Sequence, residues 1–109
     1  MGDHIHKTIV AFSEDGDALS RVRALAEDHG LRAVLLPIHN GLYQLVVAAD
    51  GSKLGWERHE AADYARHLIR DRLEAEGIVQ WAEIRAEHAK FKVFYSGLAR
   101  WEQKCQKDT

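Results

Sequence analysis

Apolar residues fall in short runs, separated by polar stretches in which they recur every three or four positions. Lys7-Thr8-Ile9-Val10-Ala11-Phe12 is β-branched and apolar and stops at Ser13, which reads as a buried strand. Ser13 can accept from an early helical N–H, and Glu14, Asp15 and Asp17 put negative charge where a helix dipole is positive, so a helix should start there. Leu19, Val22, Leu25, Ala26 and His29 follow at helical spacing. Gly30 then provides the left-handed residue that commonly ends a helix.

Leu31 to Ile38 and Leu42 to Ala49 are apolar runs joined by His39-Asn40-Gly41, and Asn-Gly suits the positive φ angles of a type I′ hairpin turn. Pro37 lacks a backbone donor, which places its strand at a sheet edge or beside a bulge. Asp50-Gly51-Ser52 makes a turn, with Ser52 as a cap, and a second helix runs from about Lys53 or Trp56 to Glu76, ended by Gly77. Ala61, Ala62, Ala65, Leu68, Ile69 and Leu73 share one side of it. Val22 and Leu25 on the first helix, with Leu68 and Ile69 on the second, are expected to pack on the sheet. Arg70–Glu74 and Arg72–Glu76 are oppositely charged pairs expected on the solvated side. Ile78 to Ala86 and Lys90 to Ser96 form a second hairpin around Glu87-His88-Ala89, and Leu98 to Gln106 suits a short terminal helix.

This order predicts a single α+β domain over residues 1–109, a ferredoxin-like two-layer sandwich of β-α-β-β-α-β(β) order with both helices on one face. Strands covered on one face alternate, yet Ile9-Val10, Val34-Leu35-Leu36 and Leu45-Val46-Val47 are apolar at consecutive positions, so both faces need cover. With Ile78, Ala82 and Ile84 toward the helices, a period of two turns Trp81, Glu83 and Arg85 outward. With Phe91, Val93 and Tyr95 inward, Lys92 and Phe94 point outward. Trp81, Phe94, Trp101 and the internal-strand aromatic Tyr43 are therefore the candidate interface residues. A symmetric homodimer is the expected cover, and a terminal helix carrying Leu98 and Trp101 is the rival.

Composition narrows the partners. Hydrophobic residues make up 46% and charged residues 29%, as in globular chains, and 15 basic against 17 acidic residues give a net charge of −2, without the field of a dedicated nucleic-acid binder. Apolar runs reach about seven residues, far short of the roughly 20 in a spanning helix. The single cysteine, Cys105, cannot form an intrachain disulfide, and residues 1–6 lack a signal core, so a cytoplasmic protein is expected.

Candidate chemistry is sparse. His59, Asp63 and His67, four residues apart, could share an ion, but the 100° count puts them opposite the apolar stripe, so a solvated row and no metal is expected, with Asp63 engaging His67 or Arg66. Ser13 and Ser52 suit caps, and no nucleophile elbow is present. Asp50-Gly51-Ser52-Lys53-Leu54-Gly55 matches no phosphate-loop pattern, and Asp50 opposes an anion there. Ser52 and Trp56 nevertheless make it a possible loop site. Lys90 to Tyr95 departs from the RNA-binding signature by placing lysine between its aromatics. The reading is a non-catalytic binding module that self-associates through its sheet, without a cofactor. The alternatives are an enzyme using His39 or His88 in a cavity between protomers, and an RNA-binding domain.

Overall fold

In a computed structural model that describes residues 5–51, 57–87 and 90–97, the chain runs β1 (Ile5–Ser13), α1 (Gly16–Asp28), β2 (Ala33–Pro37), β3 (Tyr43–Val47), α2 (Glu57–Ala75), β4 (Trp81–Glu87) and β5 (Lys90–Ser96). Among these residues the strands form one antiparallel sheet, ordered β2-β3-β1-β4-β5. This is the α+β sandwich that the hydrophobic pattern predicts, with β5 added at the edge beside β4. Ser52, Trp56, His88, Trp101, Cys105 and the expected terminal helix lie outside the described residues, as does the side chain of Phe94.

Local chemistry sets the element ends. Asp15, not Ser13, caps α1: its carboxylate accepts from the Ala18 N–H at 3.0 Å, while Ser13 Oγ accepts from the Asp15 N–H. The donor is the third residue after the cap, a spacing that N-caps use, and Ser13 is still inside β1. Both helices end on a left-handed glycine. Gly30 donates to Glu27 O and Leu31 to Ala26 O, and Gly77 to Glu74 O and Ile78 to Leu73 O, the paired bonds of a Schellman motif. The β2–β3 turn has positive φ at Asn40 and Gly41, 55° and 79°, with Leu42 N–H on His39 O at 3.1 Å, as a type I′ turn demands. Pro37 sits on the edge strand β2, where its missing donor costs no ladder bond.

The core lies between the sheet and the two helices. Ile9, Ala11, Leu45 and Val47 meet Leu19, Val22 and Ala26 of α1 and Ala62, Ala65, Ile69 and Leu73 of α2, all buried. Val22 and Ile69 take the expected core positions, Leu25 is half-buried against the core, and Leu68 is half-buried at its flank.

The sides of β4 are opposite to those expected. Trp81 pairs with Ala11 and Glu83 with Ile9, and directly opposed residues of an antiparallel pair project the same way. Trp81 and Glu83 therefore face the helices, 4% and 1% exposed, while Ala82 and Ile84 face away. Ile78 is buried but precedes β4, its N–H held by Leu73 O at the end of α2, so it does not set the strand's phase. On β5 the register shifts between Glu83 and Ile84, so Tyr95 pairs with Glu83 and Val93 with Ile84. That bulge returns Tyr95 to the helix side but sends Val93 to the open side and Lys92 to the side of Arg85, the reverse of the expected placement. Tyr43 is also on the helix side. Its ring packs over Gly16, where an added Cβ would come within 2.8 Å of it.

Candidate functional site

Three regions of this fold bear on function. The first is a seam of charge along α2. Two of its core positions, Ala62 and Ala65, are small, and long polar side chains beside the core are buried as well: His59 is 2% exposed, Arg66 1% and Arg70 9%. Arg66 donates to Asp50 at 3.1 Å and to Asp63 at 2.6 Å, and Lys7 of β1 donates to both Asp63 oxygens at 2.9 and 3.0 Å. His59 Nε2 lies 3.3 Å from Asp63. Farther along, Arg70 donates to Glu83 at 2.6 Å with its guanidinium 4.2 Å from the Tyr95 ring centre.

This seam corrects two expectations. Arg70 is not on the solvated side with Glu74 but is the buried partner of Glu83, whereas Arg72 and Glu76 do pair at 3.2 Å. Eight residues turn a helix by about 80° beyond two full turns, enough here to put His59 and His67 in different surroundings. His59 lies under the sheet, and His67 is exposed beside Asp71 at 3.3 Å. Asp63 engages Arg66, as one expected partner, and not His67. Among the described residues no cluster of His, Cys, Asp and Glu is arranged to hold a metal ion.

Two carboxylates tie the helices and sheet together in a pH-dependent way. Arg21 of α1 grips Glu76 at 2.7 and 3.0 Å, and this hydrogen bonding, reinforced by Arg72, holds the Glu76 carboxyl at about 2. Burial alone would raise the Asp63 carboxyl, but hydrogen bonds from Arg66 and Lys7 outweigh it and hold the group below its ordinary value. A depressed folded-state pKa stabilises the fold above the ordinary carboxylate range, and that contribution is lost as pH falls through the folded value. Glu76→Gln is therefore expected to lower stability at pH 6, with the gap from wild type closing as pH approaches about 2. Urea melts of both proteins across that range check it. A gap that does not change with pH would show that Glu76 acts by packing alone.

The second region is the helix-free face of the sheet. Residues alternating with the buried set place Thr8, Val10, Phe12, Val34, Leu36, Gln44, Val46, Ala82, Ile84 and Val93 on it. No Asp, Glu, Lys or Arg of the described strand residues points this way. Val34, Leu36 and Val93 are 49%, 45% and 60% exposed. A shallow groove of about 310 Å³, almost wholly apolar, crosses the middle between Val10, Phe12, Ala82 and Ile84. Of the aromatic residues expected here, Trp81 and Tyr43 have turned to the helices. The face is instead made by the outward member of each consecutive apolar pair, a signal that the sequence does carry.

The third region is a cavity of about 250 Å³ where the end of α1, the start of β2 and the segment after β3 meet, lined by Gly30, Leu31, Arg32, Ala49, Asp50, Gly51 and Arg58. Of the histidines considered as acid–base groups, His39 lies in the β2–β3 turn and His88 lies outside the described residues.

A comparison with protein-family models and with curated proteins finds no match. Among solved structures, the peptidoglycan-binding domain of the B. subtilis cell wall lytic enzyme CwlC is 17% identical, over 75% of this chain and 91% of that one, with a TM-score of 0.36. A phage SAM lyase in complex with S-methyl-5'-thioadenosine is 10% identical, over 88% and 92%, with a TM-score of 0.44. Neither likeness carries an activity over to this chain. No described helix is long and apolar enough to cross a membrane.

Proposed function

We propose that the chain is a non-catalytic binding module that self-associates, as a homodimer, through the helix-free face of its sheet. The carrying observation is that this face has an apolar centre, carries no Asp, Glu, Lys or Arg among the described strand residues, and includes Val34, Leu36 and Val93 at 45% exposure or more. Soluble monomers rarely leave so continuous an apolar patch open. Strands of this length at about 4.8 Å spacing and about 3.3 Å rise present about 500 Å². Two copies would bury about 1,000 Å², the lower limit for a specific interface. A face without charge can meet its own copy without repulsion, so a two-fold pairing suits it. The lone cysteine favours work in a reducing compartment, the cytoplasm.

Ile84 is on the open face at its centre, so Ile84→Glu puts a charge into the interface without entering the core. Sedimentation across the micromolar range is expected to give twice the chain mass for wild type and the monomer mass for Ile84→Glu, with thermal melts confirming that the variant is folded. A wild-type monomer throughout would sink self-association and leave the face to another partner or to the chain's own terminal segment.

A further inference from the structure

We infer that the cavity between Arg32 and Arg58 is a binding site for a small phosphate-type dianion, inorganic phosphate or a compact phosphate monoester. Both arginines line it, Arg32 from the position just before β2 and Arg58 from the first turn of α2. Among the described residues neither guanidinium has a hydrogen-bond or ion-pair partner, although Arg21, Arg23, Arg66, Arg70, Arg72 and Arg85 each hold a carboxylate. Asp50 also lines the cavity, and its carboxylate would ordinarily repel an anion. Here it is only 7% exposed and engaged by Arg66, which belongs to the alternating chain Lys7–Asp63–Arg66–Asp50 whose charges cancel. Among the described residues the cavity is thus lined by two guanidinium groups that no carboxylate engages.

The remaining lining suits close approach by a ligand. Gly30 and Gly51 both contribute bare backbone, and a Cβ built on either would meet nothing within 4 Å. At about 250 Å³ the space is below the roughly 300 Å³ at which drug-sized ligand sites begin, so its occupant is small. A carboxylate is satisfied by one guanidinium fork, whereas a phosphate has oxygens for two forks and a charge that matches both.

Titration of the whole chain with inorganic phosphate at constant ionic strength, followed by amide NMR, tests the assignment. Saturable shifts centred on Gly30, Leu31 and Gly51 are expected, with binding weakened about tenfold in Arg32→Gln and in Arg58→Gln and unchanged in Arg23→Gln. Because Arg32 and Arg58 are exposed, the variants should remain folded, and their spectra report this directly. Linear, non-saturating shifts, or equal binding by Arg32→Gln/Arg58→Gln, would overturn the site. Acetate binding more tightly than phosphate at the same amides would overturn the ligand class.

Discussion

Glu83→Leu is expected to destabilise the fold by about 3 to 5 kcal/mol, because it strips a buried arginine of its counter-charge. Glu83 is 1% exposed and its carboxylate receives the Arg70 guanidinium at 2.6 Å between α2 and β4. Desolvating both ions cancels much of their attraction, so the pair is worth far less than the loss of one partner suggests. The double variant Arg70→Met/Glu83→Leu is accordingly expected to recover most of the lost stability while keeping the volume filled. Its methionine keeps contact with the Tyr95 ring, on which the guanidinium now rests. Denaturant unfolding of wild type, both single variants and the double variant closes the cycle. Additive losses, with the double variant the least stable, would show that the pair is not coupled.

The other large effect is expected at Trp81. Truncation to alanine should cost about 3 to 5 kcal/mol, as for other buried indoles. The ring is 4% exposed within the core, and the space beside it is so filled that a Cβ on Gly97 would collide with the indole edge. Set beside Ile84→Glu, this variant separates the two sides of one strand. Trp81→Ala should lower the unfolding free energy by that amount, while Ile84→Glu leaves the core packed and changes the mass measured by sedimentation. A Trp81→Ala protein with near wild-type stability would mean that the indole lies on the open face after all.

Much of the architecture was legible because its causes are local. Helix stops at Gly30 and Gly77, the Asn40-Gly41 turn and the edge position of Pro37 all follow from what one or two residues can do with φ or with a missing donor. The element order then left few topologies, and the ferredoxin-like one is observed. Even the open apolar face was foreshadowed, since Ile9-Val10 and Leu45-Val46 are apolar on both sides of a strand.

Side-chain direction along β4 and β5 was not local. A period of two gives two equally good phases, and the choice between them is made by pairing with β1 and by a bulge whose place in β5 no residue announces. Buried charge was hidden for a similar reason. His59 read as part of a water-facing row with Asp63 and His67, and Arg70 as half of a solvated pair, and only the approach of Lys7, Asp50 and Glu83 from other elements makes burial of charge there tolerable. The cavity between Arg32 and Arg58 depends on the same step, for those residues are 26 positions apart in sequence, and Asp50 loses its power to repel an anion only once Arg66 has folded onto it. By itself, then, the sequence determined the elements, their order and the need to cover two faces, because propensity and hydrophobic period act over a few residues. The tertiary structure alone decided strand phase, the pairing of buried charges and which cations stay uncompensated, because those depend on distances between segments far apart in the chain.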